Sequence, residues 1–152
     1  MTELKSQFLM TLTIELADSF ALGQTPAGRR KIDTFRGGHF SGPRLEGIIL
    51  PGGSDALLEG ADGAFRPDVR LTMRCHDDAL IWVHYHGVRH GPPEVLARIA
   101  AGETVPASDY YLRNALSFET GAEKSHWLNR IVAVGVGERL PGAARYEVFE
   151  IL

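Results

Sequence analysis

The stretch VRLTMRCHDDALIWVHYHGV, Val69 to Val88, contains the pattern that decides the fold. Up to Cys75, apolar and polar side chains alternate with a period of two, which is typical of a strand buried on one face. The alternation stops at Asp77 and Asp78 and resumes immediately after them. The stretch therefore predicts a β-hairpin with these two aspartates at its tip.

The same alternation recurs along the chain, whereas helical periodicity is scarce. The further segments that predict strands are FLMTLTIEL (8–16), RKIDTF (30–35), RLEGIIL (44–50), LSFET (116–120), WLNRIVAVGV (127–136) and RYEVFEIL (145–152). Turns rich in Gly and Pro separate them at near-even spacing. This pattern predicts an all-β fold, an antiparallel up-and-down β-barrel of about eight strands that is calycin-like in appearance. One segment differs, because two prolines and an apolar stripe predict a short helix from Pro93 to Ala101.

The composition limits the classes of function. A chain of 152 residues with 44% apolar residues predicts one domain over residues 1–152. Its formal net charge of -3 lacks the basic excess of nucleic-acid binders. Neither a signal peptide nor an apolar run of about 18 residues is visible, so we expect no membrane association. The single cysteine, Cys75, forms no internal disulfide and favours a cytoplasmic location.

The segment SGPRLEGIILPGGSD, Ser41 to Asp55, combines a strand pattern with two charged residues near its ends. The planar fork of Arg44 suits a carboxylate or an enolate oxygen, and Asp55 would serve as its orienting partner or as a base. The two side chains meet only if the Pro51 turn folds the chain back. The alternative is that Arg44 and Glu46 form an exposed ion pair worth under about 1 kcal/mol.

The strand pattern in WLNRIVAVGV puts Trp127 and Asn129 on one face, followed by small residues. A ligand would stack on Trp127 and form a hydrogen bond with Asn129. Alternatively, Trp127 plugs the barrel and Asn129 satisfies a buried backbone group.

The string HYHGVRH resembles a metal site in one respect only. His84 and His86 are two residues apart on a predicted strand and so point to the same side, as the ligands of cupin barrels do. Cupin sequences continue with a glutamate a few residues on and a later histidine, whereas GVRHGPPE places His90 and two prolines first. We therefore predict no metal and no other cofactor, and assign His84 to ligand binding as an extra polar group. A cupin-like site with a third ligand from His39, His90 or His126 stays the alternative.

Five blocks, in this order, resemble domain of unknown function 3237, also called uncharacterised protein family 0311. They are GPRLEGIILPGGSD, DGAFRPDVRLTMRCHDDALIWVHYHGVR, YYLRNALSFETG, WLNRIVAVGVGER and YEVFEIL. The resemblance implies a compact antiparallel barrel and no settled activity. It places Arg44, Asp55, Phe118, Glu119, Trp127 and Asn129 among the family's motif positions. The histidine-rich HYH, 84–86, departs from the family pattern.

Three functions remain open at this stage. The first is a cofactor-independent isomerase, cyclase or lyase for a small oxygenated organic molecule, in which Arg44 holds an oxyanion and Asp55 or Glu119 moves a proton. Trp127 and Phe118 would shape the apolar part of its pocket. The second is a non-catalytic carrier or sensor that uses the same residues, and the third is a metal-dependent enzyme. In each case the partner is a small molecule, with homo-oligomerisation left open.

Overall fold

Ten strands form most of the structure, a computed structural model that describes all 152 residues. The strands are β1 (Ser6–Thr25), β2 (Gly28–Ser41), β3 (Glu46–Ile49), β4 (Ser54–Glu59), β5 (Phe65–Arg66), β6 (Asp68–Cys75), β7 (Leu80–His90), β8 (Tyr111–Glu119), β9 (Ala133–Leu140) and β10 (Ala143–Ile151). The helices are α1 (Pro93–Ala100) and two 3-10 helices, Ala107–Asp109 and Glu123–Arg130. No helix is long and apolar enough to cross a lipid bilayer.

The strands form one closed antiparallel barrel, which confirms the predicted fold. β1 pairs with both β10 and β2, and β6 pairs with β7, β3 and β4, so the sheet returns to its starting strand. The barrel has ten strands rather than about eight. The difference arises because β3 and β4 both pair with β2 and share one position in the wall, and because β5 has only two residues.

The β6–β7 hairpin follows its predicted register. Val69, Leu71 and Met73 are buried in the core, where apolar surface removed from water contributes about 25 cal/mol per Å² to stability. At the tip, the backbone N–H of Ala79 donates to Asp77 Oδ1 at 3.1 Å, and Asp78 has a φ of 68°. An aspartate tolerates this left-handed conformation better than most residues do, which explains why alternation breaks at this point.

Two of the predicted strands differ in detail from the structure. A β-bulge between Phe8 and Met10 shifts the start of β1, so Leu9 is buried and Phe8 lies outside against Phe149. The predicted strand from Trp127 begins instead at Ala133, because residues 123–130 form a 3-10 helix. That helix folds back on the end of β8 and thereby satisfies backbone groups that a ladder would otherwise have paired.

The barrel has two distinct ends. At the first, which we call the Arg44 end, β2 and β8 finish and β3 begins, beside the Glu123–Arg130 helix. At the second, the Asp55 end, β1 and β2 extend beyond β10 as a long hairpin, and α1 follows β7. Asp55 pairs with Asp33 of β2, eight residues before Ser41. At about 3.3 Å per residue these two positions are roughly 26 Å apart along the strand.

Candidate functional site

The barrel interior at the Asp55 end contains a polar cavity. Its volume is about 20 Å³, room for about one water molecule. Ile14, Phe35 and Leu112 contribute to its apolar wall. The polar residues that line it are Asp33, Asp55, Tyr85, Arg89, Arg139 and Tyr146. Sites for small molecules are mostly apolar with a few placed polar groups, and this cavity has that composition.

Two carboxyl groups lie side by side on the cavity wall. Asp33 and Asp55 are direct partners in the β2–β4 register. The Nζ atom of Lys31 is 3.5 Å from Asp33 Oδ2, and the backbone N–H of Asp68 donates to Asp55 Oδ1 at 2.9 Å. Burial, reinforced by the charge of Asp33, raises the pKa of the Asp55 carboxyl from 3.8 to about 6. A carboxyl with such a pKa both accepts and returns a proton near neutral pH.

Two guanidinium groups line the same cavity. The Nε atoms of Arg89 and Arg139 are buried and have no hydrogen-bond partner, and neither side chain forms an ion pair. The Cζ atom of Arg89 is 4.7 Å from the ring centroid of Phe65. Burial and the nearby charge of Arg139 lower the pKa of Arg89. Buried donors without acceptors are rare in folded proteins, and these two are available to an oxygen of a bound molecule.

Two tyrosines complete the polar lining. The rings of Tyr85 and Tyr146 have centroids 5.4 Å apart, and burial raises the pKa of both phenols above the usual 10. They therefore stay neutral and act as hydrogen-bond donors rather than as bases. Gly137 of β9 makes room for Tyr146, since a Cβ atom there would collide with the ring carbon Cε1. The room at Gly137 is thus filled by an aromatic ring.

Arg44 and Asp55 are not brought together. Arg44 lies at the opposite end, where its Nη2 atom is 2.5 Å from Glu150 Oε2. Its Cζ atom is 3.8 Å from the ring centroid of Trp127. Its side chain is 44% exposed. The predicted neighbourhood of Arg44 and Trp127 is therefore present, whereas Asp55 belongs to the interior cavity.

The other predicted site residues near the Arg44 end are the ligand-binding candidates Asn129 and Phe118 and the catalytic candidate Glu119. Asn129 accepts a hydrogen bond from the backbone N–H of Thr120 at 2.7 Å and donates one to its carbonyl oxygen at 2.9 Å. This is the backbone-satisfying role left open by the sequence. Phe118 is buried in the hydrophobic core, and Glu119 is exposed beside Trp82 in the sheet register.

The histidine-rich strand lies mainly outside the barrel. His84 Nε2 is 3.0 Å from Asp68 Oδ1, and the ring centroids of His84 and His86 are 6.1 Å apart. No group of three or more His, Cys, Asp or Glu side chains is arranged to hold a metal ion. His84 contacts Asp68, and the backbone N–H of Asp68 donates to Asp55 on the cavity wall. His84 is therefore connected to the outer side of that wall.

Sequence reasoning missed most of the polar lining, although a signal was present. On β7 the inward face runs Ile81, Val83, Tyr85 and ends in Arg89, a buried charge at the end of an apolar series. Arg139 occupies the corresponding place on β9. Charged residues are almost never fully buried unless they have a function or a partner, so a charge that continues an apolar face marks a candidate site.

A family model described as "Protein of unknown function (DUF3237)" matches residues 4–151. The chain belongs to this family. The DUF3237 chain is similar to the crystal structure of a conserved protein of unknown function from Rhodopseudomonas palustris, with a TM-score of 0.96, 27% identity and full coverage of both chains. It is also similar to a β-barrel like protein from Acinetobacter baumannii, with a TM-score of 0.86, 34% identity and coverage of 99% and 98% of the two chains.

One relative of the DUF3237 chain has an activity in its name. The hydroalkoxylation enzyme phnH of Penicillium herquei is 27% identical over 134 residues, which cover 88% of this chain and 74% of that protein. The Rhodopseudomonas palustris and Acinetobacter baumannii proteins are described by unknown function and by the barrel, so the chemistry of this chain has to be argued from its own cavity.

Proposed function

We propose that the protein is a cofactor-independent acid–base enzyme that acts on a small oxygenated organic molecule inside the barrel. The observation that carries the proposal is the cavity that Asp55 shares with Arg89 and Arg139, in which a buried carboxyl lines the same space as two guanidinium groups whose Nε atoms lack hydrogen-bond partners. A base with a tuned pKa next to cations for a developing oxyanion is the arrangement that isomerases, cyclases and lyases use. This proposal places the site inside the barrel rather than at Arg44, and it keeps Asp55 as the base.

Addition of a hydroxyl group across a conjugated double bond fits these groups, and the name of the Penicillium herquei relative supports this reaction type. Asp55 would take the hydroxyl proton while the oxygen forms a bond to carbon and the carbon–carbon double bond breaks. The electron pair moves to the substrate carbonyl oxygen, which Arg89 and Arg139 would stabilise as an enolate. Asp55 then returns the proton to the neighbouring carbon, so no oxidant and no further reactant is needed.

The neutral phenols of Tyr85 and Tyr146 would orient the substrate by donating hydrogen bonds. The barrel wall would exclude water from the enolate, which strengthens each electrostatic contact. Because Cys75 is the single cysteine and is buried, we also propose a reducing, cytoplasmic location.

The proposal is tested with conjugated enones that carry a hydroxyl group, beginning with 2′-hydroxychalcone, whose ring closure is followed by absorbance. The protein should accelerate closure, and Asp55→Asn should remove the acceleration. A carbon-13 titration of the Asp55 carboxyl gives an independent readout, with a midpoint expected near 6. Equal rates of ring closure with the wild type and Asp55→Asn, or a titration midpoint of Asp55 near 4, would contradict the assignment as an enzyme. Either result would favour the non-catalytic carrier.

A further inference from the structure

The charges around the cavity do not balance. Within the cavity, Asp33 has Lys31 as its ion-pair partner at 3.5 Å, which leaves Asp55 as the one carboxyl without a cation in contact. Two guanidinium groups, those of Arg89 and Arg139, face this single carboxyl. At neutral pH the set therefore carries a surplus of one positive charge, although the whole chain has a net charge of -3.

Basic side chains continue outward into a second pocket, which we call the basic mouth and define by Arg29, Arg30 and Lys31 of β2, the last of them already counted as the partner of Asp33. This pocket has a volume of about 150 Å³ and contains one carboxylate, Glu59. Arg29 Nε is 4.0 Å from Glu59 Oε2, so the contact between them is loose. Basic side chains that line a concave surface with low-dielectric walls raise the local concentration of anions.

The basic mouth adjoins the cavity through two side chains. Leu57 lines both spaces. Phe65 lines the mouth and lies under the guanidinium of Arg89, with 4.7 Å between Cζ and the ring centroid. A path of positive potential with an apolar floor thus leads from solvent to the unpartnered arginines, and this combination suits an anion attached to an apolar body.

We propose that the cavity and the basic mouth together bind a small unsaturated or aromatic carboxylate, whose two oxygens accept hydrogen bonds from Arg89 and Arg139 while its apolar body lies over Leu57 and Phe65 in the mouth. This inference rests on the proposed function, because it names the substrate class of the same site: the carboxylate takes the place of the enone carbonyl at the two arginines, which would stabilise the charge that develops on its oxygens. A carboxylate matches the planar fork of a guanidinium with two parallel hydrogen bonds, whereas a neutral carbonyl uses only part of it. The buried Nε atoms of both arginines would then have acceptors, and the positive surplus would be neutralised.

The experiment compares benzoate with benzamide, which has the same shape without the charge. Both are titrated into nitrogen-15-labelled protein at low salt, and the Nε–H signals of the arginines are followed. We expect benzoate to bind at least about tenfold more tightly than benzamide, because hydrogen bonds to charged groups are the stronger ones. Signals of Arg89 and Arg139 should shift, and that of Arg44 should not.

Arginine variants provide the second part of the experiment. Arg139→Gln should weaken benzoate binding about tenfold or more and leave benzamide binding unchanged. The matched control is Arg44→Gln, at the other end of the barrel, which should bind benzoate as the wild type does. If Arg139→Gln does not fold, Arg139→Lys keeps the charge but loses the fork, and it should bind benzoate more weakly than the wild type.

Equal affinities for benzoate and benzamide, unshifted Arg89 and Arg139 signals, or no benzoate binding below about 10 mM would overturn the carboxylate assignment. Those results leave the proposed function standing if Asp55→Asn still abolishes ring closure of 2′-hydroxychalcone. The reverse result, benzoate binding without any effect of Asp55→Asn on ring closure, would retain the anion site and remove the catalytic role.

Discussion

Arg44 at one end of the barrel and Arg139 at the other have the same side chain in contrasting surroundings. Arg44 is exposed, pairs with Glu150 and stacks on Trp127. Arg139 is half-buried, has no ion-pair partner, and its Nε atom lacks a hydrogen-bond partner. An arginine whose contacts are complete holds a structure together, whereas one with unused buried donors is available for a ligand.

The carboxyl groups at the two ends differ in the same way. Glu119, near the Arg44 end, is exposed, and Asp55 is buried with a pKa raised to about 6. The difference teaches that the charged residues suggested by sequence motifs and those that the fold buries beside a cavity need not coincide. Four predictions test this contrast.

The largest effect is expected from Asp55→Asn on turnover of the enone substrate. Loss of a positioned acid or base reduces a rate by about 100-fold to 10,000-fold, and Asn keeps an acceptor for the Asp68 N–H. Glu119→Gln is the matched control and should retain wild-type activity. Turnover is measured as kcat/KM for both variants. Comparable losses of kcat/KM in Asp55→Asn and Glu119→Gln would show that the carboxyl group of Asp55 matters no more for turnover than that of Glu119.

The second prediction concerns stability against pH. Because the folded pKa of Asp55 is raised above its unfolded value, the folded state holds this proton more tightly, and stability falls as pH rises from about 4 to about 6. A shift from 3.8 to about 6 corresponds to at most about 3 kcal/mol. Asp55→Asn should therefore be more stable than the wild type above pH 6.

This stability effect is measured by urea unfolding of both proteins across the same pH range. Their difference in free energy of unfolding should grow between pH 4 and pH 6 and then level off. A difference that stays constant over this range would indicate that Asp55 titrates as an ordinary exposed carboxyl. Glu119→Gln, with no burial, should follow the wild-type curve.

The third prediction concerns the Arg44 end. Asn129→Ala removes two hydrogen bonds to the backbone of Thr120 and should reduce the free energy of unfolding by about 1–3 kcal/mol. Turnover should not change, because Asn129 does not line the cavity. Thermal unfolding and the enone assay together separate these effects, and a loss of turnover at unchanged stability would return the site to this end.

The smallest effect is expected from Arg44→Ala. It removes an exposed ion pair and one cation–π contact, so the free energy of unfolding should fall by about 1 kcal/mol or less. Benzoate binding should match that of the wild type. Loss of benzoate binding in Arg44→Ala, with unchanged binding in Arg139→Gln, would place the anion site at the Arg44 end and leave Arg139 with a structural role.

The candidate site is only partly predictable from the sequence. Asp55 is predictable because it follows a turn in a family-like block, but its partner Asp33 lies within RKIDTF, where nothing local separates it from an exposed strand residue. The sequence predicts Asn129 and Trp127 on a strand, and the structure has a 3-10 helix there. Their tertiary contacts overrode an alternation that looked regular over a few residues.

By itself, the sequence determined the elements whose causes are local. Period-two alternation produced β6 and β7, Asp77 and Asp78 formed their turn, and paired prolines began α1 at Pro93, because side-chain direction, turn conformation and helix initiation depend on neighbouring residues. Only the tertiary structure decided which charges meet. Asp33 joins Asp55, and Arg89 joins Arg139, only when β2 pairs with β4 and the barrel closes. Burial then sets the pKa of Asp55, and burial is a property of the closed barrel rather than of any one segment.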